Sequence, residues 1–264
     1  MQSRNPAFNR SEVFSGRQAS IDVATPSADE LQDMYAAPSA ATRTNRMTYD
    51  DVVTKTGMSL GVVVLAAVVG WQVPNLAMVG LIGGLVLGLV NAFKKEPSPP
   101  LILAYAALQG LFLGGISFMF TNLTVSGQPL SGIVAQAVVG TMVVFGISLF
   151  AYRSGKIRVT PKFQRTVLIA GMGYLVFIVI NLVAQFAGWT DSPFGFRSGF
   201  GIAIGLFAIT LAAFFLILDF DFVEKGVQHG IPAKYAWTAA FGLTVTLVWL
   251  YLEFLRLFAI LQGD

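Results

Sequence analysis

The sequence predicts an all-α membrane protein, a seven-transmembrane-helix bundle that follows a disordered N-terminal tail. Of its 264 residues, 55% are hydrophobic and only 12% are charged, whereas about 25% of residues are charged in soluble domains. The mean hydropathy is +0.69, and the apolar residues gather in runs of roughly 20, the length that crosses a bilayer as a helix. The lipid bilayer is therefore the first partner that we expect.

Residues 1–54 are polar and show no sustained apolar period. Such a segment cannot bury enough surface to offset the entropy of ordering it, so we predict a disordered cytoplasmic tail, with a short helix near residues 28–36. It lacks the apolar core of a cleavable signal peptide, and we expect it to be retained.

Seven spans follow in a transmembrane domain of residues 55–264. Pro74 and Asn75 separate the first two spans, and a proline-rich stretch at 97–100 precedes the third. Pro161 and Pro193 fall in the loops on either side of the fifth, as expected because proline disrupts helix interiors. The predicted spans are 57–73, 76–93, 101–123, 132–151, 167–187, 199–222 and 236–261.

Basic residues predict the orientation. The tail and Lys55, which follows it before the first span, together have six Lys and Arg, the 94–100 loop has two, the 152–166 loop five and the 223–235 loop two, whereas the alternate loops hold only Arg197. Since basic residues near span ends stay on the cytoplasmic side, we predict a multi-pass protein of the inner (plasma) membrane. Its N-terminus is then cytoplasmic and its C-terminus external.

Composition excludes several classes of function. The chain has no cysteine and one histidine, His229, which argues against disulfides and against thiolate or histidine metal sites. The basic residues form no single stripe, so we expect no nucleic-acid partner. No phosphate-binding loop or Ser/His/Asp set is present, and no Gly-x-Gly-Asp sequence marks an intramembrane aspartyl protease. We expect no enzymatic activity and no cofactor.

Two carboxyl groups lie within the apolar runs. Asp219 closes the run 205–218, and Glu253 interrupts the run 239–261. A charge at the centre of the bilayer costs about 2.5–3.5 kcal/mol on insertion scales, so it needs a partner, a proton or a water path. Asp219 has no cation three or four residues away, and we interpret it as functional.

The neighbouring charges have local explanations. Asp221 precedes Lys225 by four residues and is predicted to pair with it near the membrane interface. Arg256 lies three residues after Glu253, which allows a buried ion pair. The alternative is that Glu253 faces Asp219 across the last two helices and shares a proton with it, because two close charges in a low dielectric cannot both ionise cheaply.

Helix geometry works against a direct pair. A turn near Gly230 leaves Asp219 about 11 residues before it and Glu253 about 23 after it, a mismatch of roughly 18 Å at 1.5 Å per residue. Either the segment 231–239 lies along the interface, or the carboxyls meet through water.

Three pairs of glycines at four-residue spacing predict close helix packing within the bundle. Among the neutral intramembrane polar residues, Gln109 and Asn181 are our candidates for lining a path. The glycine pairs are Gly84 and Gly88, Gly110 and Gly114, and Gly201 and Gly205.

Longer stretches resemble one known family. Three stretches are similar to the bacterial branch of the Bax inhibitor (transmembrane Bax inhibitor motif) family. They are Trp-Leu-Tyr-Leu-Glu253-Phe-Leu-Arg256-Leu-Phe in the last span, Leu-Asp219 near the end of the sixth, and residues 105–117 in the third. The resemblance covers about residues 50–262. It implies a pair of aspartates, one on each of the last two helices, that holds a pore closed and senses pH for calcium leak, with Asp219 and Glu253 at those positions. This chain departs from the family pattern in its Glu, in a longer gap between the acids, and in lacking an arginine in span two.

These observations favour a pH-sensitive calcium or cation leak channel. Asp219 and Glu253 are then the gate and the candidate oxygen ligands along a calcium path, since carboxylates suit hard cations. Asp221, Arg256, Gln109 and Asn181 support or line the pore, and calcium is the candidate transported ion. Two alternatives stay open: a non-conducting membrane protein that regulates a protease or a stress response through membrane protein partners, and a proton-coupled transporter.

Overall fold

The computed structural model describes residues 45–122, 124–125, 128–130, 132–155, 157–188 and 199–263, together with Ser27, Ala28 and Gln32. Ala28 and Gln32 are helical, in line with the short helix predicted near 28–36. The rest of that helix, and the predicted disorder of residues 1–44, lie outside the described residues.

Seven helices in the described part are long and apolar enough to cross a membrane, and they confirm the predicted bundle. Their bounds are α1 Tyr49–Gln72, α2 Leu76–Phe93, α3 Pro99–Asn122, α4 Ile133–Arg153, α5 Pro161–Phe186, α6 Gly199–Gln228 and α7 Ala236–Gly263. Two two-residue strands, β1 Thr124–Val125 and β2 Gln128–Pro129, form a small antiparallel hairpin between α3 and α4. A 3-10 turn, Ala233–Tyr235, leads directly into α7.

Helix α1 begins earlier than its apolar run. Thr48 is its N-cap, and its hydroxyl accepts a hydrogen bond from the Asp51 backbone N–H while the Asp51 carboxylate accepts one from the Thr48 backbone N–H. This reciprocal pair satisfies N–H groups that a helix start leaves unbonded. The predicted boundary between tail and domain at residue 54 is therefore wrong, because residues 49–54 already belong to α1.

Helix α7 is the centre of the bundle. Of its most apolar stretch, 61% is buried, compared with 11% in each of α2 and α5. It contacts α1, α3, α4 and α6, whereas α2 packs on α3, and α5 packs on α6. Of the two predicted acids, Glu253 thus lies on α7 and Asp219 lies on the adjacent helix α6.

Two glycines of α3 allow α1 to pack closely against it. A Cβ added at Gly114 would lie 2.7 Å from the backbone nitrogen of Trp71, and one at Gly110 would lie 2.6 Å from the Ala66 Cβ. Such approach is open only to residues without a side chain. The interior packing predicted for this glycine pair is confirmed.

Candidate functional site

The Asp219 carboxyl lies at the contact between α6 and α7. Its Oδ2 accepts a hydrogen bond of 2.7 Å from the Thr246 hydroxyl of α7. Its Oδ1 is accommodated because Gly242, one turn before Thr246, has no side chain: a Cβ there would lie 3.1 Å from that oxygen. The two helices therefore meet around this carboxyl, which is partly buried.

Asp219 has no cationic partner among the described residues. The ion pairs found there join Lys55 to Asp51, Lys225 to Asp221, Lys234 to Glu96 and Arg256 to Glu253. Leu216 and Phe220, the neighbours of Asp219 on α6, belong to the apolar core. A hydroxyl is thus the partner that α7 offers to this acid.

Glu253 lies in a different environment on the same central helix. Its side chain is 6% exposed, and its Oε2 is 3.1 Å from Nη2 of Arg256. Its Oε1 accepts hydrogen bonds from the Tyr174 hydroxyl of α5, at 2.5 Å, and from the Trp249 indole N–H, at 3.1 Å. The ion pair predicted between Glu253 and Arg256 is confirmed.

Aromatic rings enclose the Glu253 carboxylate. The ring centroids of Tyr174 and Trp249 are 5.7 Å apart, and Phe215 meets Trp249 edge-on at 5.6 Å. Neither Glu253 Oε2 nor Nη2 of Arg256 makes a well-aligned hydrogen bond within the part of the chain that the structure describes. Their attraction is therefore mainly that of two opposite charges.

The two carboxyls are not in contact. Thr246, which binds Asp219, precedes Glu253 by seven residues of continuous helix, about 10 Å along the axis at 1.5 Å per residue. No hydrogen bond joins Asp219 to Glu253 in the described ranges, and each has partners of its own. Because the 3-10 turn leads straight into α7 at Ala236, no interfacial segment takes up the mismatch in register.

Comparison with known proteins decides the family. The family described as Bax inhibitor 1 like matches residues 5–263, nearly the whole chain. The chain belongs to this family. No curated protein matches the chain. Bax inhibitor 1-like proteins are membrane proteins associated with calcium leak.

The end of α6 in this Bax inhibitor 1-like protein carries interfacial charges. Lys225 donates to Asp221 over 2.6 Å, as the four-residue spacing predicts. The Tyr152 hydroxyl of α4 donates to Glu224, and so does the amide of Gln228, at 2.9 Å. The bond from Tyr152 holds α6 to α4 at the loop end of the bundle, and the other two contacts lie within α6.

The two neutral polar candidates, Gln109 and Asn181, contact groups other than the two acids. Gln109 faces Gly84 of α2, where an added Cβ would lie 2.9 Å from its Nε2. Asn181 donates to the Phe177 carbonyl of its own helix, at 2.9 Å. Neither is bonded to Asp219 or Glu253 in the described part of this family member, and their role as path-lining residues stays a prediction.

Sequence reasoning missed the direct partners of the two acids. The role of Thr246 was not predicted because a threonine in an apolar helix usually bonds the backbone of its own helix. Thr244 does so, donating to the Ala240 carbonyl at 2.7 Å. A signal for Thr246 was its place one turn after Gly242. Tyr174 directly follows Gly173 in the middle of α5, where its hydroxyl is surrounded by apolar residues in the sequence, and that position was its signal.

Proposed function

We propose that this Bax inhibitor 1-like protein is a pH-sensitive calcium leak channel of the cell membrane, in which Asp219 is the titrating group of the gate. Its N-terminus lies in the cytoplasm and its C-terminus outside. The acids act at two levels of α7 rather than as a bonded pair: Asp219 at the α6–α7 contact, and Glu253 about two turns farther along.

The single observation that carries this proposal is the pairing of Asp219 with a neutral hydroxyl. Asp219 lies in a helix long and apolar enough to span a membrane, and its bonded partner is Thr246. An uncompensated carboxylate in the bilayer is costly. Its charge must therefore be met by a proton or by a metal cation.

These two ways of meeting the charge correspond to two states of the gate. With a proton, Asp219 is neutral and α6 and α7 stay in contact around it. Without the proton, the carboxylate draws in water and cations, and its oxygens suit calcium. Opening thus releases a proton, so calcium flux rises as pH rises.

Glu253 acts as a fixed charge in this scheme. It neutralises Arg256, which otherwise places a positive charge in the path of a cation. No group of three or more His, Asp or Glu residues that would hold a metal ion is found among the described residues. In this scheme calcium is a passing ion that meets one carboxylate at a time.

The test is calcium flux into proteoliposomes as a function of pH. Wild-type protein should leak more calcium as pH rises, whereas Asp219→Asn should leak little at every pH because its amide is always neutral. Asp221→Asn is the matched control, since that acid is paired with Lys225 at the helix end, and it should keep the wild-type pH profile.

Three results would contradict the proposal. An unchanged flux in Asp219→Asn removes this residue from the mechanism. Saturable uptake of a defined solute would identify a transporter. Absence of any flux, together with a co-purifying membrane protein, would favour the non-conducting regulator.

A further inference from the structure

The chain enters the bundle through a short extended segment, residues 45–48, which we call the strap. The strap pairs in antiparallel fashion with the loop between α6 and α7, where Arg46 and Pro232 are bridge partners. The Met47 N–H donates to the Ile231 carbonyl and the Ala233 N–H donates to the Asn45 carbonyl, both at 2.7 Å. Two backbone hydrogen bonds therefore fasten the strap across the α6–α7 turn.

Met47 inserts from the strap into the bundle. It is 1% exposed and belongs to the main apolar core, with Val223 of α6 and Ala236 and Ala239 of α7. A Cβ added at Gly226 would lie 3.2 Å from its sulfur, so the missing side chain at this position makes room for Met47.

Met47 lies on the loop side of Asp219. Gly226 follows Asp219 by seven residues of the same helix, which places the two on one face about 10 Å apart along the axis. Val223, one turn after Asp219, contributes to the same core as Met47. Met47 therefore packs on this face of α6 between Asp219 and the α6–α7 loop.

Further contacts hold the loop that the strap covers. The Lys55 amino group of α1 donates to the Ala233 carbonyl at 2.9 Å. Lys234 pairs with Glu96 of the α2–α3 loop at 2.8 Å. The loop is thus fixed to two neighbours of its own, while the strap is fixed to the loop by its two backbone bonds and by Met47.

We infer that the strap is a plug, that the Met47 side chain closes the loop side of the ion path, and that conduction requires the strap to leave its place. This inference rests on the proposed function and adds a second barrier, in series with Asp219. An unbranched methionine suits the role because it fills irregular apolar space and adapts its shape easily. Two backbone bonds are few enough to break and re-form.

The first experiment locks the strap. The chain has no cysteine, so the double variant Arg46→Cys/Pro232→Cys has only the two engineered thiols. The bond pattern makes these bridge partners a non-hydrogen-bonded pair, the kind in which facing side chains lie closest. In proteoliposomes we expect oxidation to form the disulfide and to reduce calcium flux at least tenfold, and we expect a reductant to restore it. Arg46→Cys alone is the control and should not respond to oxidation.

The second experiment removes the plug. Met47→Ala should raise calcium flux several-fold at a pH where wild-type protein is mostly closed, because it empties the space between the strap and Gly226. Met58→Ala is the matched control, as Met58 lies on α1 with 53% of its surface exposed, and it should leave flux unchanged.

The outcomes separate the plug from the channel. Failure of the disulfide to form contradicts the strap geometry. Flux that persists at full rate in the cross-linked protein, or that Met47→Ala leaves unchanged, refutes the plug while the proposed channel stands. Absence of flux from the unmodified protein at every pH refutes the proposed function and the plug with it.

Discussion

At the scale of single residues, the contact between Asp219 and Thr246 ties the charge of α6 to the position of α7. The Thr246 hydroxyl is 2.7 Å from the carboxylate oxygen of Asp219 and 3.1 Å from the Gly242 carbonyl. A hydroxyl has one proton to donate. When it bonds Asp219, it therefore joins two helices, and when it turns to Gly242 it joins α7 only to itself.

Removal of this hydroxyl should loosen the closed contact. Thr246→Val keeps the shape of the side chain but loses a hydrogen bond worth about 1 kcal/mol, which corresponds to a roughly fivefold shift toward the open state. We expect calcium flux at a fixed pH to rise by about that factor. Thr244→Val is the control, because among the described residues the Thr244 hydroxyl bonds only the Ala240 carbonyl of its own helix. An equal effect of both substitutions would show that the contact with Asp219 is irrelevant.

Loss of the Glu253 charge should destabilise the bundle. In Glu253→Gln the Arg256 guanidinium, whose side chain is 20% exposed, has no counter-charge, and breaking one half of a buried pair costs about 3–5 kcal/mol. We expect a clearly lower melting temperature in detergent micelles. The double variant Glu253→Gln/Arg256→Met removes both charges and should recover much of the loss. A single variant as stable as wild type would mean that Arg256 does not need its partner.

The sequence revealed residue contacts within one helix and missed those between helices. The pairs Asp221–Lys225 and Glu253–Arg256 follow from the helical repeat, which fixes neighbours three and four positions apart. The partners of Asp219 and of Glu253 on other helices depend on how far each helix slides along the next. That register is set by turn geometry and by packing, which no single helix encodes.

At the scale of elements, glycines on α3 set the distance to α1. Gly114→Leu should push the two helices apart, because its Cβ would lie 2.7 Å from the Trp71 backbone nitrogen and backbone cannot turn aside. Overpacking of this kind costs about 1–3 kcal/mol. We expect a lower melting temperature in micelles. Gly61→Leu on α1 should be tolerated, since a Cβ there has nothing within 4 Å. A similar fall in melting temperature in both variants would argue against the close packing of α3 on α1.

Helix starts show how local chemistry outweighs hydropathy. The apolar run predicts a start near Gly57, but α1 begins at Tyr49, where Thr48 and Asp51 satisfy the first N–H groups. Likewise α5 begins at Pro161 rather than near residue 167, with the Thr160 hydroxyl accepting from the Phe163 N–H at 3.2 Å. Hydropathy locates the part of a helix that lies in lipid, whereas capping residues locate its end.

At the scale of the whole molecule, the odd number of spans predicts that the two ends of the domain lie on opposite sides of the membrane. Ser154, in the α4–α5 loop, and Gln262, near the end of α7, are exposed. Because the chain has no native cysteine, each can be replaced to give a protein with a single thiol. In intact cells, an impermeant thiol reagent should label Gln262→Cys and spare Ser154→Cys until the membrane is opened. Labelling of Ser154→Cys alone would show that the orientation is the opposite of the predicted one, and that the strap faces the other side of the membrane.

The indole of Trp249 lies where the central helix α7 meets α5. It donates to Glu253 at 3.1 Å and lies against the ring of Tyr174. A rearrangement that moves α7 away from α5 will change the surroundings of this indole. Its wavelength of maximum fluorescence and its near-ultraviolet circular dichroism will then change. In a variant whose other three tryptophans are replaced, Trp249 would therefore report the motion of the central helix without any added dye.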